Sequence, residues 1–462
     1  MKMFDTIAAI ATPVGIGGIA IIRISGETSE EIASKIAFPK CRKPLCELES
    51  HKLYLSEIRS AEGSFIDEVL LSVMRAPNSY TGETVVEINC HGGYLSASMI
   101  LEELFRSGAR QAEAGEFTRR AFINGKTDLT RAEAVIDLIH AGSALGHENA
   151  AKTLSGKLYE KVNAIRQKAL SLAANLSAIA DFPDEIDEMP LSELKDCIGS
   201  IESDINEMLS GFQKGRIMRD GVKTVIIGRP NVGKSSLLNA LSRSERAIVT
   251  DIPGTTRDTV EEYINIKGLA LKLIDTAGIR QSDDGVEKIG IEKAYGSIKD
   301  ADLCLFVADA SQPLTNEDLE IFSRTDGKNI IAVINKTDKA HINTDEYSKL
   351  LGINESFIVE TAAPKDSECL GIEALEDKIY SMFMAGKISK DDVFISNDRQ
   401  KNALIRAKNI ITGMLSSLNG GTPQDLLYID LEDAVSALGE ITGATVQDEI
   451  IDEVFERFCV GK

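Results

Sequence analysis

Two glycines separated by four residues, the second followed by lysine and serine, constrain the fold of this chain more than any other feature. The octet Gly228-Arg229-Pro230-Asn231-Val232-Gly233-Lys234-Ser235 follows the buried-strand run Lys223-Thr224-Val225-Ile226-Ile227. It leads into Ser236-Leu237-Leu238-Asn239-Ala240-Leu241, which suits a helix. Strand, glycine loop and helix stand in the order of a phosphate-binding loop. Glycine lets backbone N–H groups turn inward around an anion at a helix N-terminus, where the dipole favours negative charge. Asn231, Val232, Gly233, Lys234, Ser235 and Ser236 make the first part of a nucleotide site. Lys234 is aimed at the β- and γ-phosphates, and the Ser235 hydroxyl is a Mg²⁺ ligand.

The remaining parts follow in order. Thr250-Asp251-Ile252-Pro253-Gly254-Thr255-Thr256 reads as a switch loop, with Thr256 the second Mg²⁺ ligand. The strand Leu271-Lys272-Leu273-Ile274 ends in Asp275-Thr276-Ala277-Gly278, a DxxG. There Asp275 holds the metal through its water shell and the Gly278 N–H senses the γ-phosphate. The strand Ile330-Ile331-Ala332-Val333-Ile334 ends in Asn335-Lys336-Thr337-Asp338, an NKxD. The Asp338 carboxylate can accept from guanine N1–H and its 2-amino group, donors that adenine does not present there. An analogue lacking them leaves that carboxylate unpaired and is rejected. Thr361-Ala362-Ala363, after the strand Phe357-Ile358-Val359-Glu360, supplies a backbone contact to guanine O6. The pattern implies GTP.

Hydrolysis needs an oriented water, and the position after DxxG is Ile279, which cannot orient one. Two other catalytic candidates stand nearby. Asn231 offers a neutral oxygen near the β,γ-bridge, where a monovalent cation could offset developing charge. Glu287 could orient the attacking water. A capping asparagine and a solvated glutamate are the plain alternatives, and both stay open on the residues alone.

Outside this segment the texture changes twice. Residues 1–120 alternate β-like runs, such as Ile19 to Ser25 and Val85 to Asn89, with leucine-rich helical stretches such as 95–105. From 121 the β signal disappears. Ile198, Ile201, Ile205, Met208 and Phe212 then recur at spacings of three and four, the stripe of one long helix. Residues 398–458 are helical again. The simplest architecture is a multidomain α/β chain with an α+β domain at 1–120 and a discontinuous all-α domain at 121–217 and 386–462. A Ras-like P-loop G domain at 218–385 is inserted into the latter. Two separate helical domains are the alternative.

Composition limits the partners. A formal net charge of −21 repels phosphate backbones, so nonspecific nucleic-acid binding is disfavoured. A nucleic-acid partner would need a local basic patch or a second protein. The seven cysteines are scattered, with only Cys41 and Cys46 close together, which argues against a disulfide framework and a zinc site. Neither a signal peptide nor an apolar run of about 20 residues is evident, so a cytoplasmic protein with no membrane role is expected. Cys459, near Arg457, is a possible nucleophile, although one arginine is weak ground for a lowered thiol pKa. His91, before two glycines, reads as turn-stabilising or as a ligand.

The flanking motifs are more specific than the G domain. They are Thr6-Ile7-Ala8-Ala9-Ile10-Ala11-Thr12-Pro13, Arg23-Ile24-Ser25-Gly26, Ser79-Tyr80-Thr81-Gly82-Glu83 and Cys90-His91-Gly92-Gly93. Gly115-Glu116-Phe117-Thr118 leads to Arg120-Ala121-Phe122-Ile123-Asn124-Gly125-Lys126, and the tail is Phe458-Cys459-Val460-Gly461-Lys462. Through these the chain resembles, over essentially its whole length, the MnmE (TrmE) family of tRNA-modification GTPases. The resemblance implies an N-terminal domain that dimerises and binds a tetrahydrofolate derivative through Arg23, Glu83, Lys126 and Lys462. It further implies potassium-stimulated hydrolysis, with the K⁺ role on Asn231, Thr250, Ile252 and Thr255 and the water-orienting acid on Glu287. A homodimer is implied to join a flavin-dependent partner of MnmG (GidA) type in a heterotetramer. That assembly modifies C5 of the wobble uridine of certain tRNAs, with FAD on the partner alone. The competing expectation is a ribosome-assembly GTPase acting as a binding switch, which a KH-type module would favour. Gly420-Gly421 lacks the spacing of a KH GxxG loop.

Asp338→Asn is expected to weaken GTP binding and to admit xanthosine nucleotides. Unchanged GTP affinity in a binding titration would contradict the base-reading role.

Overall fold

The structure is a computed structural model that describes residues 5–13, 15–182, 184–244, 262–274, 298–340, 342–364, 369–386, 389 and 391–462. The first sheet comprises β1 (Ile7–Ile10), β2 (Ile19–Ser25), β3 (Ala37–Pro39), β4 (Leu53–Arg59), β5 (Phe65–Met74), β6 (Val85–His91) and β7 (Arg110–Gln111). Their spatial order is β3-β4-β5-β6-β2-β1-β7, antiparallel throughout except for the parallel pair β1 and β7. Alternation along β2 sends Ala20, Ile22 and Ile24 into a core shared with α1 (Ser29–Ser34) and α2 (Tyr94–Arg106). The opposite face carries Arg23 and Ser25, and α3 (Glu116–Ile123) lies close to it.

Helices α4 (Leu129–His140), α5 (Ala144–Leu154), α6 (Lys157–Asp181), α7 (Leu191–Ser210) and α8 (Phe212–Asp220) follow. The stripe expected as one long helix is broken. α7 stops at Ser210, and Phe212 opens α8. The break falls where the backbone runs against Phe394, since a Cβ on Gly211 would overlap the Phe394 ring.

The second sheet comprises β8 (Val222–Ile227), β9 (Glu262–Ile266), β10 (Leu269–Leu273), β11 (Leu303–Asp309), β12 (Asn329–Asn335) and β13 (Ile358–Glu360). Its order is β13-β12-β11-β8-β10-β9, parallel apart from the β9–β10 hairpin. Helices α9 (Lys234–Ser244), α10 (Asn316–Ser323), α11 (Thr344–Leu351) and α12 (Ile372–Phe383) accompany it. Residues of β11 are buried along the strand, as a run covered on both faces requires.

Helices α13 (Asp398–Asn419), α14 (Leu427–Thr442) and α15 (Asp448–Glu456) complete the chain. Leu158, Val162, Ile165, Leu172 and Leu176 of α6 share one core with Ile198, Ile201 and Ile205 of α7. Leu404, Ile411 and Met414 of α13 and Leu431 and Leu438 of α14 complete it. The helical domain is therefore discontinuous, with the G domain set into it. Among the described residues, no helix is long and apolar enough to cross a membrane.

The root of the insertion rests on α4. Glu133 accepts both arms of Arg399 at 2.8 Å and also the Gln400 amide at 2.7 Å. One turn on, Asp137 faces Arg219 of α8 at 3.0 Å and accepts from Ser396 Oγ at 3.4 Å. Asn149 of α5 holds the returning chain through both hydrogen bonds of the Phe394 backbone, at 3.0 and 3.1 Å. The turn of the β9–β10 hairpin docks nearby, with the Leu145 N–H donating to the Gly268 carbonyl at 3.1 Å.

Burial pushes the Asp137 carboxyl up to about 6, against the pull of Arg219, with Glu133 and Asp220 adding repulsion. The folded protein thus keeps a proton that the unfolded chain releases between about pH 4 and 6. This group's contribution to stability falls as pH rises through that window. Relative to Asp137→Asn, the parent is expected to lose up to roughly 3 kcal/mol between those limits. Thermal melts of both proteins across pH 4 to 7 check this, and a constant difference would rule it out.

Candidate nucleotide site and a second pocket

Strands β8, β11, β12 and β13 are parallel, so their carboxyl ends meet at one edge, where ligands of such sheets sit. The glycine loop leaves β8 there and enters α9. Gly228, Asn231 and Gly233 all have positive φ, at +147°, +62° and +104°. At Gly228 a Cβ would collide with the Val307 carbonyl, and at Gly233 with the Asn335 amide. Only glycine fits either place.

The NKxD segment closes onto this loop. Asn335 Nδ2 donates to the Val232 carbonyl at 3.1 Å, and Lys336 Nζ donates to the Asn231 carbonyl at 2.7 Å. Thr361 donates to Asn335 Oδ1 at 3.2 Å, and its own carbonyl accepts from Thr337 N at 3.2 Å. Thr361 and Ala362 are buried, Ala363 is half-buried and Asp338 is exposed at the rim. Asn231, Val232, Gly233, Asn335, Lys336 and Thr361 are thereby brought together. Ser235 and Ser236 lie in the first turn of α9.

The Lys234 ammonium donates to the Gly228 and Arg229 carbonyls, each at 2.7 Å. It stands over its own loop, the donor set a phosphate would take up. Three groups missed in the sequence also converge here. Arg229 pairs with buried Asp318 at 2.7 Å, Asp318 caps α10, and Asp309 pairs with Lys336 at 2.7 Å. Thr250, Asp251, Ile252, Pro253, Gly254, Thr255, Thr256, Asp275, Thr276, Ala277, Gly278 and Glu287 lie outside the described residues.

A second cluster is built on the first sheet. Arg23 donates to Glu87 at 2.9 Å and to the Gly461 carbonyl at 3.4 Å. Its guanidinium lies 5.1 Å from the Tyr80 ring centre and 5.6 Å from that of Phe117. Glu83 is turned elsewhere, accepting from Ser25 Oγ at 2.7 Å and from Arg120 at 3.2 Å. Lys126 donates to the Pro77 carbonyl at 3.0 Å, and the Phe117 N–H donates to the Lys462 carbonyl at 3.2 Å. Glu87 was missed in the sequence. Period-two alternation gives only the face of β6 that Glu87 occupies; the register of β6 against β2 sets it opposite Arg23.

Beside this cluster opens a cleft of about 1020 Å³ between the first sheet and α15, lined by Glu83, Arg119, Arg120, Asn124, Asp452 and Phe455 among others. Asp5 and Glu116 hold Arg120 there, and hydrogen bonds from Arg110 keep the Asp5 carboxyl below its usual range. Cys459 is exposed, while neighbouring Arg457 is engaged with Glu453 at 2.7 Å. His91 is pinned to Asp67 through its ring at 2.7 Å and its backbone N–H at 3.0 Å.

This sheet, glycine loop and NKxD strand end define the class, a P-loop GTPase whose G domain interrupts a helical body. The "GTP-binding protein TrmE N-terminus" family matches residues 6–126, and the "MnmE helical domain" family matches residues 129–459. The chain is 48% identical to the tRNA modification GTPase MnmE of Thermoanaerobacter pseudethanolicus, over 100% of both chains. It is 46% identical to that of Carboxydothermus hydrogenoformans, again over 100% of both. Among solved structures, the G domain of the T. maritima FeoB iron transporter is 30% identical, covers 35% of this chain and 98% of its own, and has a TM-score of 0.25. The chain belongs to the MnmE family of tRNA-modification GTPases.

Proposed function

We propose that this chain hydrolyses GTP with potassium stimulation and works in the cytoplasm with a flavin-dependent protein of MnmG type. Together they modify C5 of the wobble uridine of certain tRNAs to a (carboxymethyl)aminomethyl group, using a one-carbon unit of tetrahydrofolate. The work divides among residues 1–120, residues 121–217 with 386–462, and the G domain at 218–385.

One observation carries the GTPase half of the reading: the glycine loop, the NKxD strand end and Thr361 meet at a single sheet edge. On this reading Lys234 holds the β- and γ-phosphates, and Asp338 with the 361–363 backbone reads guanine. Ser235 and Thr256 ligate Mg²⁺. Asn231, Thr250, Ile252 and Thr255 hold K⁺, and Glu287 orients water. When bound, the two cations supply positive charge against that developing at the β,γ-bridge.

Arg23, Glu83, Lys126 and Lys462 are the folate set, and the position of Glu87 supports adding it. A flat ring suits a guanidinium set against two aromatic rings, and Glu83 of this set lines the adjoining cleft, which is at the upper end of small-molecule pocket sizes. The cations suit a glutamate tail. A homodimer is supported by Leu53, Leu55, Leu70 and Ile19, exposed on the sheet face that carries Arg23. With a net charge of −21, the flavoprotein partner is assigned much of the tRNA contact.

GTP hydrolysis is expected to run faster in potassium than in sodium at equal ionic strength. Equal rates would remove Asn231 from its cation role. Calorimetric titration of the full chain with 5-formyltetrahydrofolate is expected to show binding that Arg23→Ala reduces by tenfold or more. Heat signals identical for the two proteins would reject the second site.

A further inference from the structure

We propose that Asp309 is a positioning residue of the nucleotide site, holding the Lys336 ammonium on the Asn231 carbonyl and so keeping the glycine loop in its phosphate-binding shape. The proposal rests on the nucleotide reading above and goes beyond it. No motif singles out Asp309; it is the last residue of β11, the neighbour of β8 at the edge where the loop begins.

Asp309 is buried, and both its oxygens are committed. Oδ2 faces Lys336 Nζ at 2.7 Å, while Oδ1 accepts from the Ser311 N–H at 2.9 Å and the Ser311 hydroxyl at 2.7 Å. Burial pushes its carboxyl up, yet the hydrogen bonds from Lys336 and Ser311 outweigh that and keep it below the usual range. The carboxylate is thus ionised and aimed. Its partner, the Lys336 ammonium, reaches one further acceptor, the Asn231 carbonyl at 2.7 Å.

That carbonyl belongs to a strained residue. Asn231 has φ +62° and Lys336 has φ +64°, the left-handed region that a residue with a side chain keeps only where its surroundings hold it. The single ammonium ties the two together. The Asn231 C=O and the Val232 N–H share one rigid peptide plane and point in opposite directions. Drawing the carbonyl to Lys336 therefore fixes which way the Val232 N–H is turned. The next carbonyl, of Val232, is drawn to Asn335 in the same manner. The segment that carries the base-reading Asp338 thus braces the phosphate loop as well, and Asp309 is the charge that anchors the brace. Without it a partly buried ammonium has no counter-ion and turns outward to water.

A double-mutant cycle on the full chain tests this, with the dissociation constant for a fluorescent GDP analogue as readout. Asp309→Asn and Lys336→Met are each expected to weaken binding by ten- to a hundredfold. The double variant is expected to bind no more than about twofold more weakly than Lys336→Met alone. The preference for guanine over xanthine nucleotides should not move, because Asp338 is untouched. Thermal melts of the nucleotide-free proteins separate lost fold from lost positioning, and Asp309→Ser replaces the asparagine variant if that one melts early. Binding by the Asp309 variants within twofold of the parent overturns the proposal, as does an Asp309 penalty that adds in full to the Lys336 penalty. A parent that does not bind the GDP analogue defeats the nucleotide reading itself; a parent that binds beside unaffected Asp309 variants defeats only this step.

Discussion

Two carboxylates one helical turn apart on α4 carry both places where the chain crosses between the helical body and the G domain. Glu133 grips Arg399 with two parallel hydrogen bonds, and Asp137 faces Arg219. Single pairs of this kind on a surface contribute little. Here Glu133 is buried, and removing it would leave Arg399 without its counter-ion, bonded only to the Glu440 and Ile441 carbonyls, and the buried Gln400 amide without its acceptor, which costs more than the pair itself gains. The G domain is consequently rooted at a fixed place on the same helix that packs, through Leu129 and Ala132, against Phe455 and Phe458 of the C-terminal segment. α4 adjoins the G-domain root on one side and, through Phe455, a residue lining the second pocket on the other.

The nucleotide site is preorganised in the same sense. Its backbone is held in left-handed conformations at Asn231 and Lys336, and each is secured by side chains from a different strand end. These bonds tie the loop to the strand ends from within the protein, which lowers the cost of ordering it. Lys234 is held over the same loop, its ammonium donating to the Gly228 and Arg229 carbonyls.

How much of this was legible in the sequence follows from how local each feature is. The glycine loop and NKxD could be read because their chemistry is carried by neighbouring residues and backbone torsions, which a short string of letters specifies. The interrupted helical body was legible from β-poor stretches on either side of a β-rich one, although the stripe through Phe212 overran the break at Gly211. Glu87, Asp309 and Asp318 were not legible. Glu87 matters only because strand register sets it opposite Arg23, and Asp309 only because parallel pairing puts its strand end beside the loop. Register and strand order are tertiary facts, and a single sequence without those pairings holds no trace of them. Glu83 was grouped with Arg23 through the family resemblance alone, and no local pattern announced that its carboxylate accepts from Ser25 and Arg120.

The residues after α15 tie the C-terminal segment to the first domain. Val460 bridges Ala114, Gly461 takes φ +98°, and the Phe117 N–H finds the Lys462 carbonyl. A side chain at Gly461 would overlap the Ile10 carbonyl, so the close approach to β1 requires glycine there. The same segment accepts from Arg23 and brings Cys459 to the surface beside the cleft-lining helix α15. A strand edge and a helix start at one end of the chain therefore determine where a thiol and a lysine at the other end stand. The cleft beside them is lined from the first sheet and α3 on one side and by Asp448, Asp452 and Phe455 of α15 on the other, so the second pocket belongs to both ends of the chain and not to its first domain alone.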